Sequence, residues 1–301
     1  MSGVRTFVTG GHGFVGRFLA EHLRSAGDSV EVAALDLDVT DPPALRQAVV
    51  TATPDAIYHL AAFTHVGQSW DEPEAALRVN ALGTLNVAEA ARACEVPPRV
   101  LLVGSAEVYG EVSPHQLPLG EDTPLRPVSP YAASKAAAEL VGLQAHLGRG
   151  LPVIRVRPFN HAGPGQDPGF VVSGLAQRIV RAEREGTRTI TVGNLSARRD
   201  FTDVRDVVRA YRLVVERGTP GEVYNVCSGR DVAIEAVARR MIELAEVDVA
   251  LSFDRALFRP ADIPALRGDP TRLQQATGWK PEIALDDTLR AVIEHWRAQL
   301  S

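Results

Sequence analysis

The stretch Gly10–Gly16, which reads GGHGFVG, follows the short apolar segment Thr6–Thr9 and decides the fold of this chain. Apolar residues then recur at helical spacing from Phe14 to Leu23, so a helix begins inside the glycine-rich turn. Such a turn lets the backbone approach a pyrophosphate closely, and the N-terminus of the helix attracts the negative charge. The glycines have the spacing G-x-x-G-x-x-G, and an acid, Asp36, stands twenty residues after the last of them. This context predicts a dinucleotide-binding site.

Strand-like and helix-like patterns alternate over about the first 150 residues. The alternation predicts an α/β fold with a Rossmann-type, doubly wound parallel sheet that helices cover on both faces. The glycine- and proline-rich segment Asn160–Gly169 then indicates a crossover into a second lobe. We predict a dinucleotide-binding domain at 1–157, to which 200–226 returns. Residues 158–199 and 227–301 should form a smaller C-terminal α/β lobe that binds the substrate. The predicted strands are Thr6–Thr9, Val30–Leu35, Ala56–Leu60, Val100–Val103, Pro152–Arg157 and Val223–Cys227, and the longer predicted helices are Pro73–Ala93, Pro130–Leu147 and Val204–Val215.

Composition argues against several classes of function. The net charge of −5 disfavours a nucleic-acid-binding surface, because phosphate backbones demand a basic excess. The two cysteines, Cys94 and Cys227, provide neither a disulfide framework nor a metal-ligand spacing, and the histidines have no ligand spacing, so no metal site is expected. No apolar run approaches the ~18 residues of a membrane span. Since the N-terminus enters a strand within a few residues, we expect a cytoplasmic protein without a signal peptide.

Further predicted cofactor contacts lie at the carboxyl ends of the second and third predicted strands, Val30–Leu35 and Ala56–Leu60. Asp36 is suited to accept hydrogen bonds from ribose hydroxyls, which disfavours a 2′-phosphate, and Asp38 is an equally good candidate for that role. No arginine or lysine follows these acids closely. We therefore predict NAD(H) or NADP(H) as the cofactor, with a preference for NAD(H). The full set of predicted cofactor contacts is Gly10, Gly13, Phe14, Val15, Gly16, Asp36, Asp38, Val39, Leu60, Ala61, Ala62, Tyr131 and Lys135.

Tyr131 and Lys135 lie four residues apart at the start of a predicted helix and therefore on one of its faces. Because a phenol beside a fixed cation titrates below its ordinary pKa, Lys135 should lower the pKa of Tyr131, which then serves as proton donor and acceptor. Ser105 follows the fourth predicted strand and should donate a hydrogen bond to a substrate carbonyl oxygen. The three residues predict a nicotinamide-dependent enzyme that acts on an alcohol or a ketone. A non-catalytic NAD-binding protein is the alternative that loss of Tyr131 or Lys135 would favour.

The glycine-rich turn, Ser105–Gly110 and Tyr131–Lys135 resemble the extended short-chain dehydrogenase/reductases, over essentially the whole chain. The segment 157–166, RPFNHAGPGQ, closely resembles the GDP-4-dehydro-6-deoxy-D-mannose reductases, and motifs between 192 and 281 resemble the GDP-sugar branch in general. The resemblance implies that the C-terminal lobe binds a GDP-sugar. It also implies a homodimer joined by the two long predicted helices of the first domain.

The same resemblance implies a substrate-binding set and a reaction. Arg199 and Arg259 are expected to hold the diphosphate, because guanidinium groups match phosphate geometry, and Asn160 to bind the sugar–phosphate portion. Glu107 is the position at which the dehydratases carry a proton-abstracting acid, beside a threonine where this chain has Ser105; some reductases carry an acid there too. We count Ser105, Glu107, Tyr131 and Lys135 as the predicted catalytic residues, and Ser105, Glu107, Asn160, Arg199 and Arg259 as the predicted substrate contacts.

The implied reaction is reduction of the C4 keto group of GDP-4-dehydro-6-deoxy-D-mannose to GDP-6-deoxy-D-mannose (GDP-D-rhamnose). The talose epimer at C4 stays open, because sequence does not give the orientation of the sugar. A GDP-mannose 4,6-dehydratase, or another nucleotide-sugar reductase or epimerase, is the alternative. The reductase-like loop after Asn160 and the lack of basic residues after the second predicted strand argue against the dehydratase.

Overall fold

The computed structural model describes residues 3–254 and 263–301. Strands β1 to β12 of these residues are Arg5–Thr9, Ser29–Val32, Ala56–His59, Arg99–Val103, Val153–Pro158, Asn160–Ala162, Thr189–Val192, Arg198–Asp203, Val223–Val226, Asp231–Ala233, Ala250–Phe253 and Ala265–Leu266. Helices α1 to α10 are Phe14–Ser25, Pro42–Ala52, Pro73–Leu77, Gly83–Arg92, Pro130–Arg149, Val171–Glu185, Val204–Arg217, Ile234–Ala245, Thr271–Thr277 and Leu285–Gln299, and a π-helical turn, Arg78–Leu82, joins α3 to α4.

Six parallel strands form the main sheet, in the order β2-β1-β3-β4-β5-β9. The chain moves outward from β1 in both directions, so a crevice opens at the carboxyl ends of β1 and β3, where ligands of open α/β sheets bind. Completely buried side chains such as Phe7, Ile57 and Leu101 alternate between the two faces of the sheet, which therefore needs helices on both sides. The predicted fold class, a doubly wound Rossmann-type sheet, is confirmed.

Two predicted boundaries differ from the structure by more than two residues, whereas the other predicted strands and long helices begin and end within two residues of the observed ones. β2 ends at Val32 and not at Leu35, because the last ladder hydrogen bond runs from the Ala33 amide to the Val8 carbonyl and a turn follows, closed by the Leu37 amide on the Ala34 carbonyl. The return to the main sheet also begins later than residue 200. β8 belongs to the second sheet, so only α7 and β9 rejoin the first one.

Outside the main sheet, the described residues form two small sheets. β8 pairs with β6, β10 and β12, whereas β7 pairs with β11. Apolar side chains of α6, α8 and α10 pack into one core against these strands. Part of the C-terminal segment lies elsewhere, because Leu273 and Trp279 are buried among side chains of α7 and the main sheet. Among the described residues, no helix is both long enough and apolar enough to cross a bilayer.

Candidate active site

The glycine-rich turn is so closely packed that only glycine is tolerated at two of its positions. Gly10 has φ = +68°, and a Cβ atom there would lie 2.5 Å from the Ala61 backbone nitrogen. A Cβ on Gly16 would lie 2.3 Å from the Gly10 carbonyl oxygen. The turn is closed by a hydrogen bond of 3.1 Å from the Gly13 amide to that same carbonyl. These two glycines therefore pack the turn against β3 and against the first turn of α1.

Gly13 is different, because its missing side chain leaves room. A Cβ there would meet only the Gly10 carbonyl oxygen, at 3.3 Å. Gly13 is the N-cap of α1, makes no side-chain cap, and no acidic residue follows in the first helical turn. A helix start without anionic side chains, approached over a bare glycine, fits a pyrophosphate. The residues present thus match the dinucleotide that the sequence predicts.

The region beyond β2 contains both candidate ribose acids. Asp36 and Asp38 are exposed, and Asp38 accepts a hydrogen bond of 2.8 Å from the Thr40 amide. Hydrogen bonds from Thr40, together with the charge of Arg78, lower the pKa of Asp38. Val39 is buried, and its carbonyl accepts 2.9 Å from the Asn86 side chain. Arg78 is a cation that sequence reasoning missed here, because forty residues separate it from Asp38 and the π-helical turn brings it close.

Polar residues that were not predicted as site residues organise the carboxyl end of β3. Thr9 Oγ1 lies 2.8 Å from His59 Nδ1 and accepts 3.3 Å from the Ala61 amide, which fixes the half-buried segment Leu60–Ala62 against β1. Asn80 exchanges two hydrogen bonds with the backbone of Phe63 and donates 2.7 Å to Ser134 Oγ. Asn80 thereby ties the loop after β3 to α5. Its only signal in the sequence is a polar residue within the predicted helix Pro73–Ala93.

Helix α5 starts with a well-defined cap and presents Tyr131 and Lys135 on its buried face. Ser129 accepts 3.1 Å from the Ala132 amide, and Pro130 occupies the first helical position, where its missing N–H does no harm. Both Tyr131 and Lys135 are buried. Lys135 Nζ donates 2.9 Å to the Val103 carbonyl, at the end of β4 and two residues before Ser105. The i, i+4 placement deduced from the sequence is therefore present.

The predicted effect of Lys135 on Tyr131 is wrong. Burial raises the pKa of Tyr131 to about 12; a hydrogen bond with Ser105 lowers it, and the charge of Glu107 raises it. Burial lowers the pKa of Lys135 itself to about 8. Desolvation is the largest contribution to the Tyr131 shift, and the Lys135 ammonium donates its hydrogen bond to the Val103 carbonyl. Tyr131 is a neutral phenol at pH 7, and its raised pKa makes it a weaker acid than a free tyrosine.

Ser105 and Glu107 lie on a single turn of 3₁₀-helix, Ala106–Tyr109, directly after β4. Ser105 is buried, its Oγ accepts 3.2 Å from the Glu107 amide, and its hydroxyl forms a hydrogen bond with the Tyr131 phenol. Glu107 is half-buried, and its charge acts on the Tyr131 phenol. The structure therefore brings Ser105, Glu107, Tyr131 and Lys135 together at the carboxyl end of β4. Their catalytic roles stay predictions.

The predicted substrate contacts are placed less completely. Asn160 is half-buried on β6, opposite Phe201 of β8. Arg199 is buried on β8, and its Nη1 donates 2.6 Å to the Ile263 carbonyl and 3.0 Å to the Arg198 carbonyl. Arg259 lies outside the described residues. Phe14 of the glycine-rich turn stacks on His161, with ring centroids 6.3 Å apart, so the cofactor turn and the crossover segment are in contact.

The fold, the glycine-rich turn and the Ser105, Tyr131 and Lys135 group define an extended short-chain dehydrogenase/reductase, an oxidoreductase class that uses NAD or NADP. The family model described as GDP-mannose 4,6 dehydratase matches residues 31–292. The chain belongs to this family, and the resemblance found in the sequence is confirmed.

Individual relatives place the chain more narrowly. It is 37% identical to the GDP-6-deoxy-D-mannose reductase of Pseudomonas aeruginosa over 98% of both chains. The structure of RMD from Pseudomonas aeruginosa complexed with NADPH is similar with a TM-score of 0.91, at 37% identity, over 98% of this chain and 99% of that one. The UDP-glucose 4-epimerase of Thermus thermophilus complexed with NAD is similar with a TM-score of 0.87, at 29% identity, over 97% and 99%.

Proposed function

We propose that this protein reduces the C4 keto group of GDP-4-dehydro-6-deoxy-D-mannose to GDP-6-deoxy-D-mannose, with bound NADH or NADPH supplying the hydride. The observation that carries the proposal is the group Ser105, Tyr131 and Lys135 at the carboxyl end of β4, in a chain 37% identical to a GDP-6-deoxy-D-mannose reductase over 98% of its length.

The protonation states of the site suit a reduction. Tyr131 has a pKa of about 12 and holds its proton at neutral pH, as an ordinary phenol of pKa 10 also does, and in the proposed reaction it gives that proton to the C4 oxygen. The Ser105 hydroxyl donates a hydrogen bond to the same oxygen. Lys135 remains charged below about pH 8 and would hold the ribose of the bound coenzyme. Tyr131 and Ser105 thus act on the oxygen where negative charge develops.

Two coenzymes fit the nucleotide end of the site. The exposed carboxylates of Asp36 and Asp38 favour NADH, because they can accept hydrogen bonds from its ribose hydroxyl groups. Arg78 is a cation at the same end and supports binding of the 2′-phosphate of NADPH. We therefore expect both coenzymes to work, with NADH preferred. An Arg78→Ala variant should raise the KM for NADPH and leave the KM for NADH unchanged, and an equal rise in both would remove Arg78 from this role.

The direct test is to incubate the protein with GDP-4-dehydro-6-deoxy-D-mannose and NADH, and to follow absorbance at the reduced-nicotinamide band. Loss of absorbance supports the proposal, and NMR of the product distinguishes the rhamnose from the talose configuration at C4. A parallel reaction with GDP-mannose and NADP⁺ tests the dehydratase, which Glu107 beside Tyr131 and the family match keep in consideration. Formation of a keto sugar there, with no NADH oxidation in the first assay, would replace the reductase by the dehydratase.

We also infer a homodimer formed through α4 and α5. Leu140 and Leu147 on α5 are 57% and 74% exposed, and Leu85 on the adjoining α4 is also exposed, so an apolar surface faces outward. A Leu140→Glu/Leu147→Glu variant should be a monomer by light scattering. Val96→Glu, at an exposed apolar position after α4, serves as the control and should leave the dimer intact.

The remaining assignments concern the lobe and the compartment. We propose that 158–203 and most of 227–301 form the nucleotide-sugar lobe, with Asn160, Arg199 and Arg259 as its contacts. The burial of Arg199 between β8 and Ile263 supports this, since a guanidinium held by backbone carbonyls is already oriented. The two free thiols, Cys94 and Cys227, favour the cytoplasm.

A further inference from the structure

A group of buried ionic and polar side chains lies directly beneath the candidate catalytic residues. The group consists of Glu139, Arg155, Arg157 and Tyr109 and is called the Glu139 cluster below. Glu139 accepts 2.9 Å and 2.5 Å from Nε and Nη2 of Arg157, as a two-pronged pair, and 3.2 Å from Nη1 of Arg155. The side chains of Glu139 and Arg157 are 3% and 5% exposed. One buried carboxylate thus balances two buried guanidinium groups, which demands a full set of partners.

Glu139 continues the catalytic face of α5. It follows Lys135 by four residues, as Lys135 follows Tyr131, so all three side chains leave the helix on one side. Lys135, Glu139 and Arg155 line the same small cavity of about 10 Å³. A Cβ on Gly104, the residue before Ser105, would lie 3.6 Å from Glu139 Oε2 and 3.8 Å from Arg157 Cγ. The cluster therefore packs between the helix and the end of β4.

Arg157 extends the cluster to the turn that carries Ser105. Its Nη1 donates 2.9 Å to the Tyr109 hydroxyl and 2.8 Å to the Glu121 carbonyl. The Tyr109 hydroxyl in turn donates 2.7 Å to Asn225 Oδ1 on β9. Tyr109 is completely buried and ends the 3₁₀ turn at whose N-cap Ser105 lies. One chain of contacts thus runs from α5, through β5, to the C-terminal end of the Ser105 turn.

We propose that Glu139 is a positioning residue: through Arg157 and Tyr109 it holds the Ser105–Tyr109 turn in register with the helix face that carries Tyr131 and Lys135. Removing its charge leaves two guanidinium groups without a common partner. Arg157 then turns away from Tyr109, and the distance between the Ser105 and Tyr131 hydroxyls is no longer fixed. The coenzyme turn at Gly10–Gly16 is not part of these contacts, so coenzyme affinity should be retained.

The test is a Glu139→Gln variant, compared with Asp206→Asn as a matched control. Asp206 is also a buried acid, bound 2.7 Å from Arg209 Nη2 and by the amides of Glu282 and Ile283, and its contacts do not include the Ser105 turn. Both variants should lower the urea midpoint. Glu139→Gln should reduce kcat at least tenfold with the Kd for NADH within threefold of wild type, whereas Asp206→Asn should keep kcat within twofold. A kcat within twofold of wild type in Glu139→Gln, or an equal loss in Asp206→Asn, would overturn the proposal.

A second variant covers the case in which Glu139→Gln does not fold. Tyr109→Phe removes one hydroxyl and leaves the ion pairs in place. It should reduce kcat at least threefold, and the double variant should be no slower than Glu139→Gln alone, because both changes act through Arg157. Wild-type turnover in Tyr109→Phe counts against the mechanism. So does a double variant whose fold-reduction in kcat equals the product of the reductions in the two single variants.

The turnover readout rests on the proposed function, so hydrogen–deuterium exchange provides a readout that does not. The amides of Val108 and Gly110 are bonded to the Ser105 and Glu107 carbonyls within the turn. Their exchange should be at least tenfold faster in Tyr109→Phe or Glu139→Gln than in wild type, and unchanged in Asp206→Asn. If the wild type reduces no GDP-sugar, that result counts against the proposed function alone. Unchanged exchange at 106–110 would overturn the positioning role in either case.

Discussion

The glycine-rich turn permits a prediction in which three Gly→Ala variants of equal chemistry should behave differently. Gly10→Ala combines a positive φ of +68° with a Cβ 2.5 Å and 2.8 Å from the nitrogen and Cα of Ala61. The left-handed conformation costs about 1–2 kcal/mol with a side chain, and forcing a methyl group into packed backbone costs about 1–3 kcal/mol more. We therefore expect Gly10→Ala to lower the free energy of unfolding by about 2–5 kcal/mol.

The other two variants separate the contributions. Gly27 has φ = +89° but nothing within 4 Å of its Cβ position, so Gly27→Ala should lose only about 1–2 kcal/mol for the conformation. Gly13 has an ordinary φ of −72° and a single contact at 3.3 Å. The free energy of unfolding of Gly13→Ala should be within about 1 kcal/mol of the wild-type value, because the poorer N-cap lowers stability and the stiffer unfolded chain raises it. Its methyl group, however, occupies the approach to the first turn of α1 and should weaken NADH binding at least tenfold.

Urea unfolding followed by circular dichroism, with equal m-values, gives the three stabilities, and quenching or energy transfer on NADH titration gives the affinities. Two results would refute the reasoning. If Gly10→Ala is no less stable than Gly27→Ala, the turn does not pack against β3 as described. If Gly13→Ala binds NADH as tightly as wild type, the pyrophosphate does not approach over Gly13.

Three further predictions concern single residues. Tyr131→Phe should lower kcat about 10²- to 10⁴-fold, as loss of a general acid does, with the NADH Kd unchanged, and near wild-type turnover would exclude Tyr131 as the proton donor. Turnover should fall as pH rises through about 8, because burial lowers the pKa of Lys135 to that value and the charge is lost; a rate that stays level to pH 10 contradicts this role. Burial raises the pKa of Asp200 to about 6, above the ordinary 3.8, so the folded state binds more protons between these values and stability from this group falls as pH rises from about 4 to about 6. Asp200→Asn should remove the difference between the urea midpoints at pH 4.5 and pH 7. The variant should also be less stable than wild type at pH 4.5, because the Asp200 carboxyl group accepts four hydrogen bonds from Ser228, Gly229 and Gly268. An unchanged pH dependence would contradict the assignment.

The local features of the site followed from sequence because their physics is local. Glycine spacing after an apolar strand is enough to predict the turn at Gly10–Gly16, since a close backbone approach tolerates no side chain there. The i, i+4 spacing of Tyr131 and Lys135 is likewise a property of helix geometry alone. Alternation of strands and helices indicated the parallel sheet, and chain order then places Ser105 at a strand end.

Tertiary structure decided everything that depends on burial or on distant partners. The direction of the Tyr131 pKa shift was wrong from sequence, because spacing reveals a neighbouring charge but not the loss of water, and here desolvation is the larger effect. Arg78 reaches Asp38, and Glu139 reaches Tyr109 through Arg157, only after separate helices and strands have packed together. Local spacing thus determined which groups share a helix face. Long-range packing determined their protonation states and their partners, because packing removes each group from water and brings residues that are distant in sequence into contact.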